Sequence, residues 1–229
     1  MLRSKINFMN KTITGKIYDN DSLIVSYKIQ YPQFLSISFS DQLSRINMYY
    51  REKANQFQNY CETELYHRAV AHFDYSINTG APVITYQGIL TYTPTYNKNC
   101  TASLYFDEYF FEGGAHGRTT RSADTWNLDD GNEYPLSAFF APDADYRKYI
   151  TDAIINQINT QITNGHSDYF DDYENLVVER FDQRNFYLTE AGIDIFYQEY
   201  DIGPYSTGIP VFTIPYEENV VMEPKCSQT

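Results

Sequence analysis

The sequence lacks any long apolar run and is poor in basic residues. No segment approaches the ~20 apolar residues that cross a bilayer, so no membrane span is predicted in this chain. Residues 1–16 are basic but have no apolar core, so no targeting segment is predicted either. The 17 Lys and Arg against 30 Asp and Glu give a net charge of −13. Such a surface repels phosphate backbones, so nucleic-acid binding is not expected, and the charge suits either a cationic partner or solubility alone.

Histidine is scarce, and its spacing does not suit a metal site. There are four histidines, with no HExxH pattern and no CxxC pair. His67 and His72 are five residues apart, about 140° around a helix, so they cannot share one metal as an i, i+4 pair can. A GxSxG nucleophile motif is also absent. We therefore predict no metal, no cofactor and no enzymatic activity.

Cysteine is also rare, and an odd number leaves one thiol unpaired within a single chain. The three are Cys61, Cys100 and Cys226. A Cys61–Cys100 disulfide could join a helix to a strand, but buried free thiols are the favoured interpretation. The redox compartment stays open on this evidence.

Aromatic residues are abundant, at 17% of the chain, and alternating patterns predict an ordered α+β fold. Period-2 alternation predicts strands at residues 13–18 and 23–31, and aromatic-rich runs predict two more at residues 83–96 and 100–111. Further strands are predicted at residues 118–128, 186–188, 193–198 and 211–216. The third and fourth form a hairpin around residues 97–99. We expect antiparallel sheets with two main helices packed on one face. The predicted halves are residues 1–120 and 121–229.

Apolar stripes define the two helices. The first is predicted over residues 41–73, with Ser40 as its N-cap. Its stripe contains Leu43, Ile46, Tyr50, Ala54, Phe57, Cys61 and Leu65. The second begins at Pro142 and ends at residues 164–165, after a short helical turn at residues 136–140. Its stripe contains Tyr146, Tyr149, Ile150, Ala153, Ile154, Ile158 and Ile162.

The glycine turn, residues 113–117 (GGAHG), is the most informative stretch. Three glycines in five positions predict a tight turn with positive φ at one or more of them. His116 lies within it. Either its imidazole bonds the turn backbone, which we favour, or it belongs to a site whose partners are distant in sequence.

Three ordered motifs together resemble a known family. They are the glycine turn, WNLDDGNEYPLSAFF at residues 126–140, and FYLTEAGIDIFYQEYDIGPYSTGIPVFTIPY at residues 186–216. This set resembles the extracellular domain of RsiV-like bacterial anti-sigma factors, over residues 24–216. Similar paired domains of unknown function lie beside catalytic domains in some peptidoglycan deacetylases. The resemblance implies a cell-envelope, extracytoplasmic binding or sensor module, and RsiV-like proteins sense lysozyme. The chain has no sigma-binding segment, so the anti-sigma role itself is not implied.

The candidate binding residues lie in three places. Residues 168–174, the acidic segment, hold four carboxylates and three aromatics, including Tyr169, Asp171 and Asp172; they are either a solvated loop or a contact surface. Residues 201–208, the presented loop, carry Pro204 and Tyr205, with the tyrosine either exposed or folded into the core. Tyr109 and His116 are the candidates at the glycine turn.

One further pattern imitates a catalytic motif. Residues 129–131 (DDG) resemble a polysaccharide deacetylase sequence, but the His-rich motif that would complete it is absent, and Asp-Gly is good turn chemistry.

The predicted function is a non-catalytic extracytoplasmic sensor or binding module. Its partner would be a cationic protein such as lysozyme, or a cell-wall glycan. The alternative is a peptidoglycan-handling accessory domain or a deacetylase-related enzyme.

Overall fold

The computed structural model describes residues 5–165 and 168–226. His166 and residues 1–4 of the basic N-terminal stretch therefore lie outside the described residues. The predicted α+β class is confirmed. The strands are β1 (Asn7–Asp19), β2 (Ser22–Leu35), β3 (Tyr86–Lys98), β4 (Thr101–Phe111), β5 (Arg118–Asn127), β6 (Phe186–Leu188), β7 (Gly192–Phe196) and β8 (Val211–Pro215). The helices are α1 (Ser40–Tyr60), which continues through a π-helical segment (Cys61–Leu65) into α2 (Tyr66–Thr79), then α3 (Tyr146–Thr163) and α4 (Tyr173–Glu179).

The strands of the described residues form two sheets. One has the order β1-β2-β3-β4-β5 and the other β6-β7-β8. Strands β1 and β2 pair antiparallel, β2 and β3 parallel. Pro32 lies inside β2 because this position is beyond the stretch paired with β3, where a missing N–H is harmless. The β3–β4 turn falls at Asn99 and Cys100, both with positive φ, which is later than the predicted residues 97–99.

The long helix is confirmed, and its entire predicted stripe is buried. It continues to Thr79, beyond the predicted end, and Gly80 terminates it with a φ of 73°. Ser40 is not the N-cap as predicted, since Phe39 occupies that position without a side-chain cap bond. The Asn47 side chain instead ties the helix to β2, accepting from the Phe34 N–H at 2.7 Å and donating to the Phe34 carbonyl at 3.0 Å.

The second predicted helix begins later than expected. The prediction placed its start at Pro142, but α3 begins at Tyr146, because the Asp145 side chain caps it by accepting from the Lys148 N–H. Its stop at residues 164–165 is confirmed. Ile150, Ile154 and Ile158 are fully buried, whereas Tyr149 and Ile162 at the margins of the stripe are exposed.

The cysteine interpretation was wrong for two of the three residues. Cys100 and Cys226 form a disulfide, with their Cα atoms 5.0 Å apart, so they are not free thiols and Cys100 does not pair with Cys61. Cys61 alone is a buried free thiol. The sequence separation of 126 residues hides this pairing, because only the tertiary fold brings the β3–β4 turn to the segment after β8.

The chain divides into two compact units. Unit 2 comprises Ile6–Tyr92 and Phe106–Thr120, with α1 packed on the sheet through rings such as Tyr50 and Phe106, 5.5 Å apart. Unit 1 includes Thr93–Tyr105 and the chain from Arg121 onward, and α3 packs there against β8. The division into two intimately packed halves, residues 1–120 and 121–229, stays a prediction. Within the described residues, no helix is both long and apolar enough to cross a membrane.

Candidate functional site

The presented loop leaves unit 1 between β7 and β8, and buried residues fix its base. Tyr197 is buried, and its hydroxyl donates to the Val177 carbonyl at 2.8 Å. Ile202 is completely buried. The loop then makes a short helical turn, in which Thr207 N–H donates to the Pro204 carbonyl at 2.9 Å, and Gly208 closes it with a φ of 63°. The crest is therefore held in a defined shape.

Tyr205 lies at that crest and is exposed, at 38%. Its ring is 6.1 Å from that of Tyr200, which is 52% exposed. Pro204 beside it is half-buried. Tyr200 was not predicted as a site residue. Its position depends on a φ of 68°, which is unusual for tyrosine and leaves no pattern in the sequence.

The acidic segment contacts the presented loop directly. The Phe170 N–H donates to the Ile202 carbonyl at 3.1 Å, and the Thr207 hydroxyl donates to the Asp168 carbonyl. Gly203 makes this approach possible, since a Cβ there would lie 2.5 Å from the Asp168 carbonyl oxygen. Two regions that look independent in the sequence thus form one site.

Side chains of the acidic segment divide between solvent and interior. Asp171 and Asp172 are exposed, as is Phe170 at 38%, which was not predicted as a site residue. Tyr169 is instead half-buried; its hydroxyl donates to Gln161 at 2.6 Å, and burial raises its pKa. The last two residues of the acidic segment are helical, because α4 begins at Tyr173.

A second contact orients the start of the loop within unit 1. The Gln198 side chain bonds the backbone of Arg121 twice, accepting from its N–H at 2.9 Å and donating to its carbonyl at 2.7 Å. The Asp201 carboxylate accepts from the Gln198 N–H at 2.7 Å, and burial raises the pKa of Asp201. The acidic segment and the presented loop, held together by these contacts, form one patch that we call the acidic-aromatic surface. Its members are Asp168, Phe170, Asp171, Asp172, Tyr200, Pro204 and Tyr205.

The glycine turn belongs to unit 2 and has the predicted positive φ at Gly113 (95°) and Gly114 (86°). His116 is exposed, and its Nδ1–H donates to the Gly117 carbonyl at 2.9 Å, so the favoured backbone-bonding interpretation describes its geometry. Gly117 is buried, and a Cβ there would lie 2.4 Å from the Tyr109 ring. Tyr109 thus packs beneath the turn.

Potential metal ligands do not converge in the part of the chain that the structure describes. No three His, Cys, Asp or Glu side chains cluster there in a way that could hold an ion. In residues 129–131 (DDG), which resemble a deacetylase sequence, Gly131 has a φ of 72° and its N–H donates to the Asn127 carbonyl at 2.8 Å. This is the geometry of a turn.

Comparison with known families separates the chain into two segments. Residues 18–119 match the family described as deacetylase PdaC. Residues 137–217 match the family described as protein of unknown function DUF3298. No curated protein matches the chain.

Two solved structures share the fold over nearly the whole chain. A member of the DUF3298 family from Bacteroides fragilis NCTC 9343 has a TM-score of 0.69 and 18% identity, covering 97% of this chain and 96% of that one. A DUF3298 family protein from Pseudomonas aeruginosa PAO1 has a TM-score of 0.59 and 15% identity, covering 95% and 94%. The chain therefore has the fold of these DUF3298 structures, with a first segment similar to deacetylase PdaC and a second similar to DUF3298.

Proposed function

We propose that this chain is a non-catalytic binding module of the bacterial cell envelope, whose acidic-aromatic surface binds a cationic protein such as lysozyme. The observation that carries the proposal is the exposed pair Tyr200 and Tyr205, on a loop that the acidic segment holds in place.

The chemistry of the surface suits this role. Rigid tyrosines offer a large contact area and lose little conformational entropy on binding. The carboxylates of Asp171 and Asp172 add negative charge close to these rings, in a chain whose net charge is −13. Complementary charge speeds the encounter with a basic protein, while desolvated aromatics supply most of the binding free energy.

Two further observations support an extracytoplasmic location. The Cys100–Cys226 disulfide suits an oxidising compartment, where such bonds persist. The similarity of residues 18–119 to deacetylase PdaC suits a protein of the cell envelope.

Calorimetric titration of the chain with a c-type lysozyme, at low and high salt, tests the proposal. We expect binding that weakens as salt rises, because exposed charges are screened over about 8 Å at physiological ionic strength. Asp171→Asn should weaken binding, whereas Asp74→Asn, an equal charge change on an exposed face of α2, should not. Absence of binding at low salt would remove lysozyme as the partner.

The second candidate function is a peptidoglycan-handling or deacetylase-related domain, favoured by the match of residues 18–119. Release of acetate from acetylated peptidoglycan fragments, measured with wild-type chain and His116→Ala, distinguishes the two. Activity that disappears in the variant would establish the second candidate, and its absence in wild type would leave the binding module.

A further inference from the structure

A groove of about 390 Å³ lies in unit 2, beside the end of the glycine turn. Side chains of α1 form one wall, and β4 and β5 form the other. β5 is the last strand of its sheet, and α1 packs on the strands before it, so the groove-side residues of β5 are left open. Arg118 and Thr120 occupy these positions and are exposed.

Aromatic rings form the floor of the groove. Phe57 and Phe110 stack with ring centroids 5.0 Å apart, and the Tyr60 ring meets Phe110 edge-on at the same distance. Arg68 donates to the Tyr60 hydroxyl and is itself paired with Glu112 at 2.7 Å. The Tyr60 ring is therefore held in place before any ligand arrives.

The groove carries two cations and one carboxylate, in a chain with a large excess of acid. The Arg118 guanidinium makes no hydrogen bond or ion pair with any residue that the structure describes. The Lys53 Nζ lies 3.9 Å from the Glu108 carboxylate and 5.0 Å from the centroid of the Phe106 ring. Gln56 and Thr120 add neutral hydrogen-bonding groups. An anion with an apolar face would meet a guanidinium, an ammonium, neutral hydrogen-bonding groups and aromatic rings, with Glu108 as the like-charged group in the lining.

We infer that this groove is a second binding site, for a sugar ring that carries a carboxylate. The C–H face of a pyranose can lie on the Tyr60 and Phe110 rings, while Arg118 takes the carboxylate in the bidentate geometry that a guanidinium favours. The volume is within the range of small-ligand pockets. This site has the opposite charge preference to the acidic-aromatic surface, and it does not depend on the proposed function.

NMR titration of the full chain with N-acetylmuramic acid and with N-acetylglucosamine tests the inference. The first sugar differs from the second only by an ether-linked group that carries a carboxylate. We expect shifts in the amides of Arg118 and Thr120 and roughly tenfold weaker binding of the uncharged sugar, since a charge-assisted pair adds about that factor. Arg118→Gln should remove the difference. Arg51→Gln, the same substitution on an exposed position of α1 outside the groove, should retain it.

Three results of the sugar titrations would overturn the inference. They are equal binding of both sugars, an unchanged preference in Arg118→Gln, and no shift at residues 118–120 at the highest soluble sugar concentration. Sodium acetate titrated alone separates a bare anion site from a sugar site; acetate that binds as tightly as the acidic sugar would also overturn the assignment. A folded Tyr60→Leu variant should bind both sugars more weakly. Undiminished binding to this variant would contradict stacking of the sugar on the Tyr60 ring.

Discussion

At the scale of single residues, Tyr205 reaches solvent because its neighbours hold the loop. Ile202 is completely buried at one side, and Gly203 lets the backbone approach Asp168 closely. The tyrosine ring itself contributes little to the core, since it is 38% exposed. Its removal should therefore affect binding and stability very differently.

We expect Tyr205→Ala to weaken binding of a c-type lysozyme by about 1–2 kcal/mol or more, as loss of an aromatic anchor does. The thermal unfolding midpoint should stay nearly unchanged, because few buried contacts are lost. Calorimetry and thermal unfolding measure the two effects. Tyr75→Ala, at a tyrosine that is 60% exposed on α2, is the matched control and should bind normally. An unfolded Tyr205→Ala chain would place the residue in the core.

The glycine turn offers a second residue-scale test, because two of its glycines are needed for different reasons. Gly114 has a φ of 86°, and a Cβ added there would have nothing within 4 Å, so only backbone strain opposes substitution. Gly117 lacks a positive φ, so backbone strain does not explain it, but a Cβ there would meet the Phe110 carbonyl oxygen at 2.6 Å.

Gly114→Val should therefore lower the free energy of unfolding by roughly 1–3 kcal/mol through strain. Gly117→Ala should already be more damaging than Gly114→Ala, because the clash involves backbone that cannot rotate away. Urea denaturation of the alanine pair gives the comparison. Equal losses in the two alanine variants would contradict the packing argument.

At the scale of elements, the π-helical segment places Cys61 against β3. Gly88 faces it, and a Cβ there would lie 2.5 Å from the Cys61 Sγ atom. Gly88→Ala should thus lower the free energy of unfolding by about 1–3 kcal/mol, the usual range for overpacking. Cys61→Ala should recover part of that loss by making room. A double-mutant cycle in urea measures the coupling, and strict additivity of the two changes would show that the contact is unimportant.

Sequence patterns predicted the elements well where one face is buried along a whole element. The stripe from Leu43 to Leu65 is an example, because seven apolar residues at helical spacing leave little alternative. The ends of the helices were predicted less well. The Ser40 cap failed, and Asp145 rather than Pro142 marked the start of α3, since capping depends on which side chain reaches the free N–H.

At the scale of the whole molecule, buried phenols and one buried thiol link stability to alkaline pH. Burial, chiefly, raises the pKa of Cys61 and of Tyr187 to about 12 each, and raises those of Tyr96, Tyr197 and Tyr216 as well. These groups stay neutral in the folded chain, whereas the unfolded chain releases their protons near pH 8.5 for cysteine and 10 for tyrosine. The stability they contribute is complete below those values and is lost as the pH rises toward 12.

We therefore expect the free energy of unfolding to fall from about pH 9 upward, by roughly 1 kcal/mol per pH unit from the thiol alone and more steeply above pH 10. Urea denaturation across this range measures the slope. Cys61→Ala should make the profile shallower from about pH 9 to 12, and the relative effect should be largest below pH 10, where most phenols of the unfolded chain are still protonated. If the free energy of unfolding falls with pH at the same slope in the wild-type chain and in Cys61→Ala, the thiol of Cys61 does not contribute to the pH dependence.

The candidate site could be predicted only in pieces. Tyr205 and Asp171 were identified from composition and turn chemistry, both of which are local. The contact between residues 168–174 and 201–208 was not predicted, because it depends on the Phe170 N–H and Ile202 carbonyl meeting across a long stretch of sequence. The disulfide was missed for the same reason. Long-range pairs have no local signature.

The pairing of Cys100 with Cys226 leaves Cys61 as the chain's one free thiol, and it is completely buried. A thiol-reactive dye can reach it only when unit 2 opens around the π-helical segment. The labelling rate therefore measures how often that opening occurs, at a single defined position and without any introduced cysteine. The protein carries its own reporter of the motions of the long helix, whose first part, α1, forms one wall of the groove beside Arg118.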